Sequence, residues 1–134
     1  MGTNYIDLSP DKGVIELVLF SGVQQSATGT SVAKAIAPCK GRVVAVAAWV
    51  DVIGGTTKCT DYDIIIEKGS DDLHTAIAAV GASTNAGPQM GALVSTATVL
   101  AVAAGDILHL DATLAGGASP TLDGIQGRVW IARE

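Results

Sequence analysis

The chain predicts an all-β fold, an antiparallel β-sandwich of about eight strands carrying an N-terminal arm. Three observations lead there. Gly, Thr, Ser and Asn punctuate the sequence roughly every eight to twelve residues, the spacing of short strands joined by turns. Between these breaks the apolar runs are rich in Val, Ile and Leu, which suit a pleated, half-buried surface. The stretch DILHLDATL (106–114) then alternates, with Leu108, Leu110, Ala112 and Leu114 on one face and Ile107, His109, Asp111 and Thr113 on the other.

Taken in order, VIELVLF (14–20) is dense in β-branched and long aliphatic side chains and stops at Ser21 and Gly22. VQQSATGTS (23–31) is a polar connector. Residues 1–31 therefore read as an arm, with room for one strand of the sandwich, ahead of a sandwich domain over 32–134. VAKAIA (32–37) runs into Pro38, and GRVVAVAAWVDVI (41–53) is the clearest long strand. After the turn GGTTK, DYDIIIEK (61–68) is expected to return beside it as a hairpin. LHTAIAAV (73–80) is short, and its flanking Gly81 favours strand over the helix that alanine would prefer. GASTNAGPQMG (81–91) is a loop, ALVSTATVLAV (92–102) a strand by its Val and Thr content, and AAGD a turn. DILHLDATL, the loop AGGASPTLDG and IQGRVWIAR (125–133) complete the set.

Composition excludes several functions. A chain of 134 residues that is 49% hydrophobic and 16% charged can build one core. Net charge is −5, and the basic residues Lys12, Lys34, Lys40, Arg42, Lys58, Lys68, Arg128 and Arg133 are scattered among acids, which speaks against nucleic acid as a partner. The N-terminus shows no basic segment leading into an apolar one, so synthesis in a cytoplasm is expected. No apolar run approaches the length of about 20 residues that spans a bilayer as a helix. Cys39 and Cys59 lie far apart without metal-type spacing and read as inert thiols.

Catalytic and cofactor signatures are missing. No GxSxG, HExxH, GxxxxGK[ST] or helix-opening GxGxxG occurs, so neither an enzyme nor a cofactor is expected. Asp61, Asp63, Glu67, Asp71 and Asp72 lack the calcium-loop pattern and read as the wet side of a strand. His109 and Asp111 likewise read as surface residues of their strand. A metal or acid/base role would need partners from elsewhere in the fold.

What stands out is apolar surplus. In 43–52, Val44, Val46, Ala48, Val50 and Val52 form one face, yet Val43, Ala45, Ala47 and Trp49 line the other. In 92–103, Leu93, Ala97 and Val99 oppose Val94, Leu100 and Val102. A two-sheet sandwich needs apolar residues on one side of each strand only, so the second faces predict an oligomer or a larger assembly. A covering arm from the same chain is the alternative. Trp49 and Trp130 fall opposite the main aliphatic rows, as interface anchors, edge packing or a sugar-stacking surface. The expected interface set is Trp49, Trp130, Val43, Val94, Leu100, Val102, Phe20 and Tyr5.

The stretches IAPCKGRVVAVAAWVDVIGG, DYDIIIEKGS and VLAVAAGDILHLDATLAGG, over residues 36–116, resemble small jelly-roll proteins of bacteriophage virions. The matching positions are Pro38, Gly41, Val43, Val46, Lys68, Gly69, Gly105, Asp106, Leu108, Leu110 and Asp111, all structural; Cys39 and Lys40 depart from the apolar or aromatic residues usual there. The resemblance implies a jelly roll at the virion surface, often trimeric. The expectation is a capsid decoration (cement) protein, a homotrimer seated on the major capsid protein. A carbohydrate-binding module or a head- or tail-fibre attachment module is the alternative.

Overall fold

The structure, a computed structural model, describes residues 13–54, 61–75, 77–80, 89–115 and 121–134. In chain order the strands are β1 (Val14–Phe20), β2 (Gly29–Ile36), β3 (Gly41–Trp49), β4 (Val52–Gly54), β5 (Asp61–Lys68), β6 (Asp71–Asp72), β7 (Ile77–Val80) and β8 (Gln89–Met90). One helical turn, α1 (Ala97–Leu100), leads into β9 (Ala101–Val102), β10 (Ile107–Ala115), β11 (Thr121–Asp123) and β12 (Gln126–Arg133). The fold is an all-β antiparallel sandwich.

The first sheet runs β1-β12-β3-β8, with β9 also on β3; the second runs β2-β10-β5-β6, with β7 also on β5. A small ladder of β4 and β11 stands beside them. The winding is that of a jelly roll: the first strand pairs with the last, the second with β10, and the long strands β1, β2, β3 and β5 step alternately between one sheet and the other. Leu19, Val43, Val46, Ala48, Val129 and Ile131 point inward from the first sheet, against Ala33, Tyr62, Ile64, Ile66, Leu108, Leu110 and Ala112 of the second. Each fully buried aliphatic side chain contributes about 1.5–3 kcal/mol relative to exposure.

Several expectations are corrected. DYDIIIEK does not return beside GRVVAVAAW: β5 pairs with β10, β6 and β7, while β3 pairs with β12, β8 and β9. The chain crosses from one sheet to the other between β3 and β5, a long-range choice that local turn chemistry cannot report. The run 41–53 is two strands, because after Val50 the chain bends at Asp51 and β4 joins β11. Residues 14–20 form the edge strand of the first sheet, and β2 already begins at Gly29, so the boundary at residue 32 falls inside a strand.

ALVSTATVLAV is not a strand either. It holds a bridge at Leu93, the turn α1 and only the two-residue β9. The turn Ala-Thr-Val-Leu holds two β-branched residues, so tertiary packing overrides propensity here. Thr96 carbonyl accepts the N–H groups of Val99 and Leu100, and Leu100 is driven into the core. Lys68 Nζ donates to the carbonyls of Thr98 (3.1 Å) and Ala101 (2.6 Å), pinning the end of the turn to β5.

Two adjacent positions of the resemblance, Gly105 and Asp106, gain physical reasons. Gly105 sits at φ +93°, a left-handed conformation that side chains disfavour. Asp106 then folds back, its carboxylate accepting the Ala103 N–H at 2.8 Å. Glycine and aspartate together make the tight turn that launches β10.

Candidate functional site

Five of the nine exposed large hydrophobic residues among the described ones, Val14, Val18, Phe20, Val44 and Met90, lie on the first sheet; Ile36 and Ile107 are paired on the second, and Val23 and Val52 lie outside both. Along β1 the outward residues are Val14, Glu16, Val18 and Phe20, while Ile15, Leu17 and Leu19 face the core. Register places Phe20, Gln126 and Trp49 in one row across the sheet, Val18, Arg128, Ala47 and Met90 in the next, and Glu16, Trp130 and Ala45 in a third. Phe20 is 55% and Met90 65% exposed; Val14, Val18 and Val44 are also exposed. The polar group at the centre is already partnered. Arg128 Nε donates to Glu16 Oε1 at 3.1 Å, and its guanidinium lies 4.8 Å from the centroid of the Trp49 ring. One face of Trp49 is therefore covered by a cation, an arrangement that stabilises the pair by about 0.5–1 kcal/mol at an exposed site.

The expected interface set divides. Trp49, Trp130 and Phe20 lie together on this outer face, the two tryptophans half-buried. Val43, Leu100 and Val102 do not: all three are core residues. Val94 is half-buried and packs against the core, and Tyr5 lies outside the described residues.

The error at Val43 has a single cause. β3 bulges where Trp130 pairs with Ala45 but Ile131 pairs with Val43, leaving Val44 as the extra residue. A bulge reverses the alternation beyond it. Val43 therefore joins Val46, Ala48 and Val50 inside, and Val44 turns out to solvent. Leu100 and Val102 were misplaced for the other reason, that residues 92–102 are not one strand. Val14, Val18 and Met90 were missed, although the alternation of VIELVLF already separates Val14, Val18 and Phe20 from Ile15, Leu17 and Leu19.

The outer face of the second sheet is different in character. His109 and Asp111 share one side of β10, and Glu67 of β5 stands directly across from His109. His109 Nε2 lies 2.7 Å from the Gly69 carbonyl and 3.6 Å from Glu67 Oε2; His109 Nδ1 lies 3.2 Å from Asp111 Oδ1. That same carboxylate oxygen accepts the Ser31 N–H at 2.6 Å. Burial, followed by the neighbouring carboxylates of Asp111 and Asp72, pushes the Glu67 carboxyl above its usual range. Burial opposes charge on His109, but the Gly69 carbonyl, Asp111 and Glu67 outweigh it, and its proton affinity is raised. Glu67 was read as one of a row of solvated acids; pairing of β5 with β10 converts it into the third member of a cluster.

Other chemistry-bearing groups are committed to the fold. His74 is buried, its Nε2 accepting the Ile66 N–H (2.9 Å) and its Nδ1 donating to the Thr75 carbonyl (2.7 Å). The open surface concavity bounded by Lys68, Gly69, Gly105, Asp106 and Ile107 holds an ammonium already spent on Thr98 and Ala101. Cys39 is half-buried, and Cys59 lies outside the described residues. No helix among the described residues is long and apolar enough to cross a membrane. No known protein family matches the chain, and no curated protein matches it.

Proposed function

We propose that this protein is a structural assembly module whose outer first-sheet face is buried against further copies of the same chain. The wider reading is a capsid decoration protein that binds as a trimer at junctions of major capsid subunits. One observation carries the proposal: Val14, Val18, Phe20, Val44 and Met90 are exposed on one sheet face, around an ion pair that is already internally satisfied. Burying such a face gains about 25 cal/mol per Å² of apolar area and leaves the Glu16–Arg128 pair with each other as partners. β1 supports the same reading. Edge strands are normally guarded by charge or proline, and β1 carries Glu16 alone among seven otherwise apolar residues. The virion context rests on the resemblance of residues 36–116, which the jelly-roll winding accommodates. Contacts made on an assembled shell but not on free subunits would oppose its dissociation by linkage. The stacking of Arg128 on Trp49 disfavours the glycan reading, since a sugar would have to displace it.

Light scattering coupled to gel filtration tests the self-association. The expected result is an oligomer at roughly tens of micromolar, a concentration that detects any affinity of micromolar or better. Val18→Thr/Phe20→Thr/Met90→Thr is expected to weaken association about tenfold or more while keeping the strand signal in circular dichroism, because exposed substitutions cost the fold little. A wild-type monomer overturns the assembly reading. Failure of an assembled protein to co-sediment with undecorated heads overturns the decoration role alone.

A further inference from the structure

We propose that His109 Nδ1, Asp111 and Glu67 form a binding site for a divalent transition-metal cation of the Zn2+, Ni2+ or Co2+ class, on the outer face of the second sheet. The site does not depend on the assembly reading, which concerns the opposite sheet.

The imidazole is pre-set for the task. A carbonyl oxygen can only accept, so the Gly69 contact at 2.7 Å requires the hydrogen on Nε2. In the neutral ring Nδ1 then turns its lone pair toward Asp111 Oδ1, 3.2 Å away, and in the imidazolium it donates a proton there. A lone pair and a carboxylate oxygen repel at that distance unless positive charge lies between them, and only a proton or a metal ion can supply it. The spacing admits a metal as well as a proton. Two ligands held about 2.0 Å from Zn2+ stand about 3.3 Å apart at the tetrahedral angle. Glu67 Oε2 approaches the same ring, 3.6 Å from Nε2, and one donor atom from each of the three residues, counting either ring nitrogen for His109, lies within 4.8 Å of the others.

The supports lie outside the donor set. A histidine that binds a metal commonly donates its other ring N–H to a carbonyl, as Nε2 does here to Gly69. The Ser31 N–H orients Asp111 from the neighbouring strand β2. The donors come from facing positions of β5 and β10, adjacent interior strands of a sheet that also pairs β10 with β2 and β5 with β6 and β7, so the ladder fixes their backbone separation. One imidazole and two carboxylates also suit this metal class on ligand type, where calcium or magnesium would call for oxygen alone.

Charge agrees with geometry. The groups facing His109 are Glu67 across on β5, Asp72 beyond it on β6, Asp111 on its own strand, and Lys34 across on β2, which is exposed. Three carboxylates against one solvated ammonium leave a site that recruits cations. Protons and metal therefore compete, and binding weakens as pH falls.

The chain contains two histidines, which makes the test specific. Long-range proton–nitrogen correlation spectra of the 15N-labelled full chain at neutral pH, with and without stoichiometric Zn2+, report each ring nitrogen separately. Zn2+ is expected to move His109 Nδ1, to keep Nε2 as N–H, and to leave His74 in place. In calorimetric titrations His109→Ala is expected to abolish the binding, and Asp111→Asn and Glu67→Gln, which preserve shape, to weaken it about tenfold or more. Asp63→Asn, on the same face outside the cluster, is expected to bind as wild type. Absence of binding to Zn2+, Ni2+ and Co2+ at millimolar concentration overturns the assignment. So does binding that survives His109→Ala, loss of the Nε2 proton of His109 on adding zinc, or a zinc-dependent shift at either ring nitrogen of His74.

Discussion

His74→Ala is expected to destabilise the fold by about 3 kcal/mol, measured by urea denaturation at neutral pH, the sum of a cavity and a stranded hydrogen-bond donor. The side chain is buried, and Nε2 accepts the N–H of Ile66, itself fully buried in the middle of β5. Alanine offers no acceptor, and no water has easy access to replace it. Its Nδ1 also ties the chain to Thr75 at the point where β6 has ended and the bridge between His74 and Leu93 forms. His74→Gln restores an acceptor near the Nε2 position and is expected to recover part of the loss. If alanine costs less than about 1 kcal/mol, an ordinary single hydrogen bond's worth, the buried network is not holding this end of the sandwich.

The same residue makes stability depend on pH with a definite sign. Burial lowers its proton affinity from the ordinary value of 6.5, against smaller opposing effects of the Thr75 carbonyl and Asp72. Below that ordinary value the unfolded chain binds the proton and the folded one resists it, so stability falls as pH falls through about 6.5. His109 acts oppositely. Its raised affinity adds stability that is present below the unfolded value and disappears as pH rises through the folded one. Comparing urea midpoints at pH 7.5 and 5.5 in His74→Gln and His109→Gln separates the two: removing His74 is expected to flatten the acid loss, and removing His109 to steepen it.

Gly41→Ala is expected to cost about 2–3 kcal/mol, the scale of overpacking in a closed core. Gly41 opens β3 and is buried, paired with Arg133 on one side and Val102 on the other. A methyl there would be driven into the Ala132 carbonyl oxygen and would also lie 2.7 Å from Ile131 Cγ2. The first obstacle is backbone of β12, so relief requires shifting a ladder strand rather than rotating a side chain. Gly22→Ala is the control. Its added methyl would meet only the Phe20 ring, at 3.8 Å, and a change within about 0.5 kcal/mol is expected. Equal thermal shifts in the two variants would refute close approach as the reason for glycine at 41.

Legibility in the sequence followed the range of the interaction. VIELVLF, DYDIIIEK, DILHLDATL and IQGRVWIAR emerge as β1, β5, β10 and β12 nearly to the residue, because strand propensity and alternation are local. The site was legible only in part. His109 and Asp111 are two apart, so their common face could be read directly, whereas Glu67 joins them through a pairing 42 positions away in the chain. Trp49 and Trp130 could be placed on an outer face by alternation alone. Val43 could not, since the bulge at Val44 that turns it inward depends on how β12 lies against β3.

By itself the sequence determined that this protein is built of short antiparallel strands, where the long strands β1, β5, β10 and β12 begin and end, and that His109 and Asp111 share a face. Tertiary structure alone decided which strands are neighbours, that β3 and β5 belong to opposite sheets, that residues 97–100 turn rather than extend, that Val14, Val18, Phe20, Val44 and Met90 share the first sheet, and that the acid–histidine cluster forms on the second. The physical reason is that side-chain alternation and turn preference act over a few residues, whereas register, bulges and sheet membership are set by packing between segments that meet only when the whole core closes.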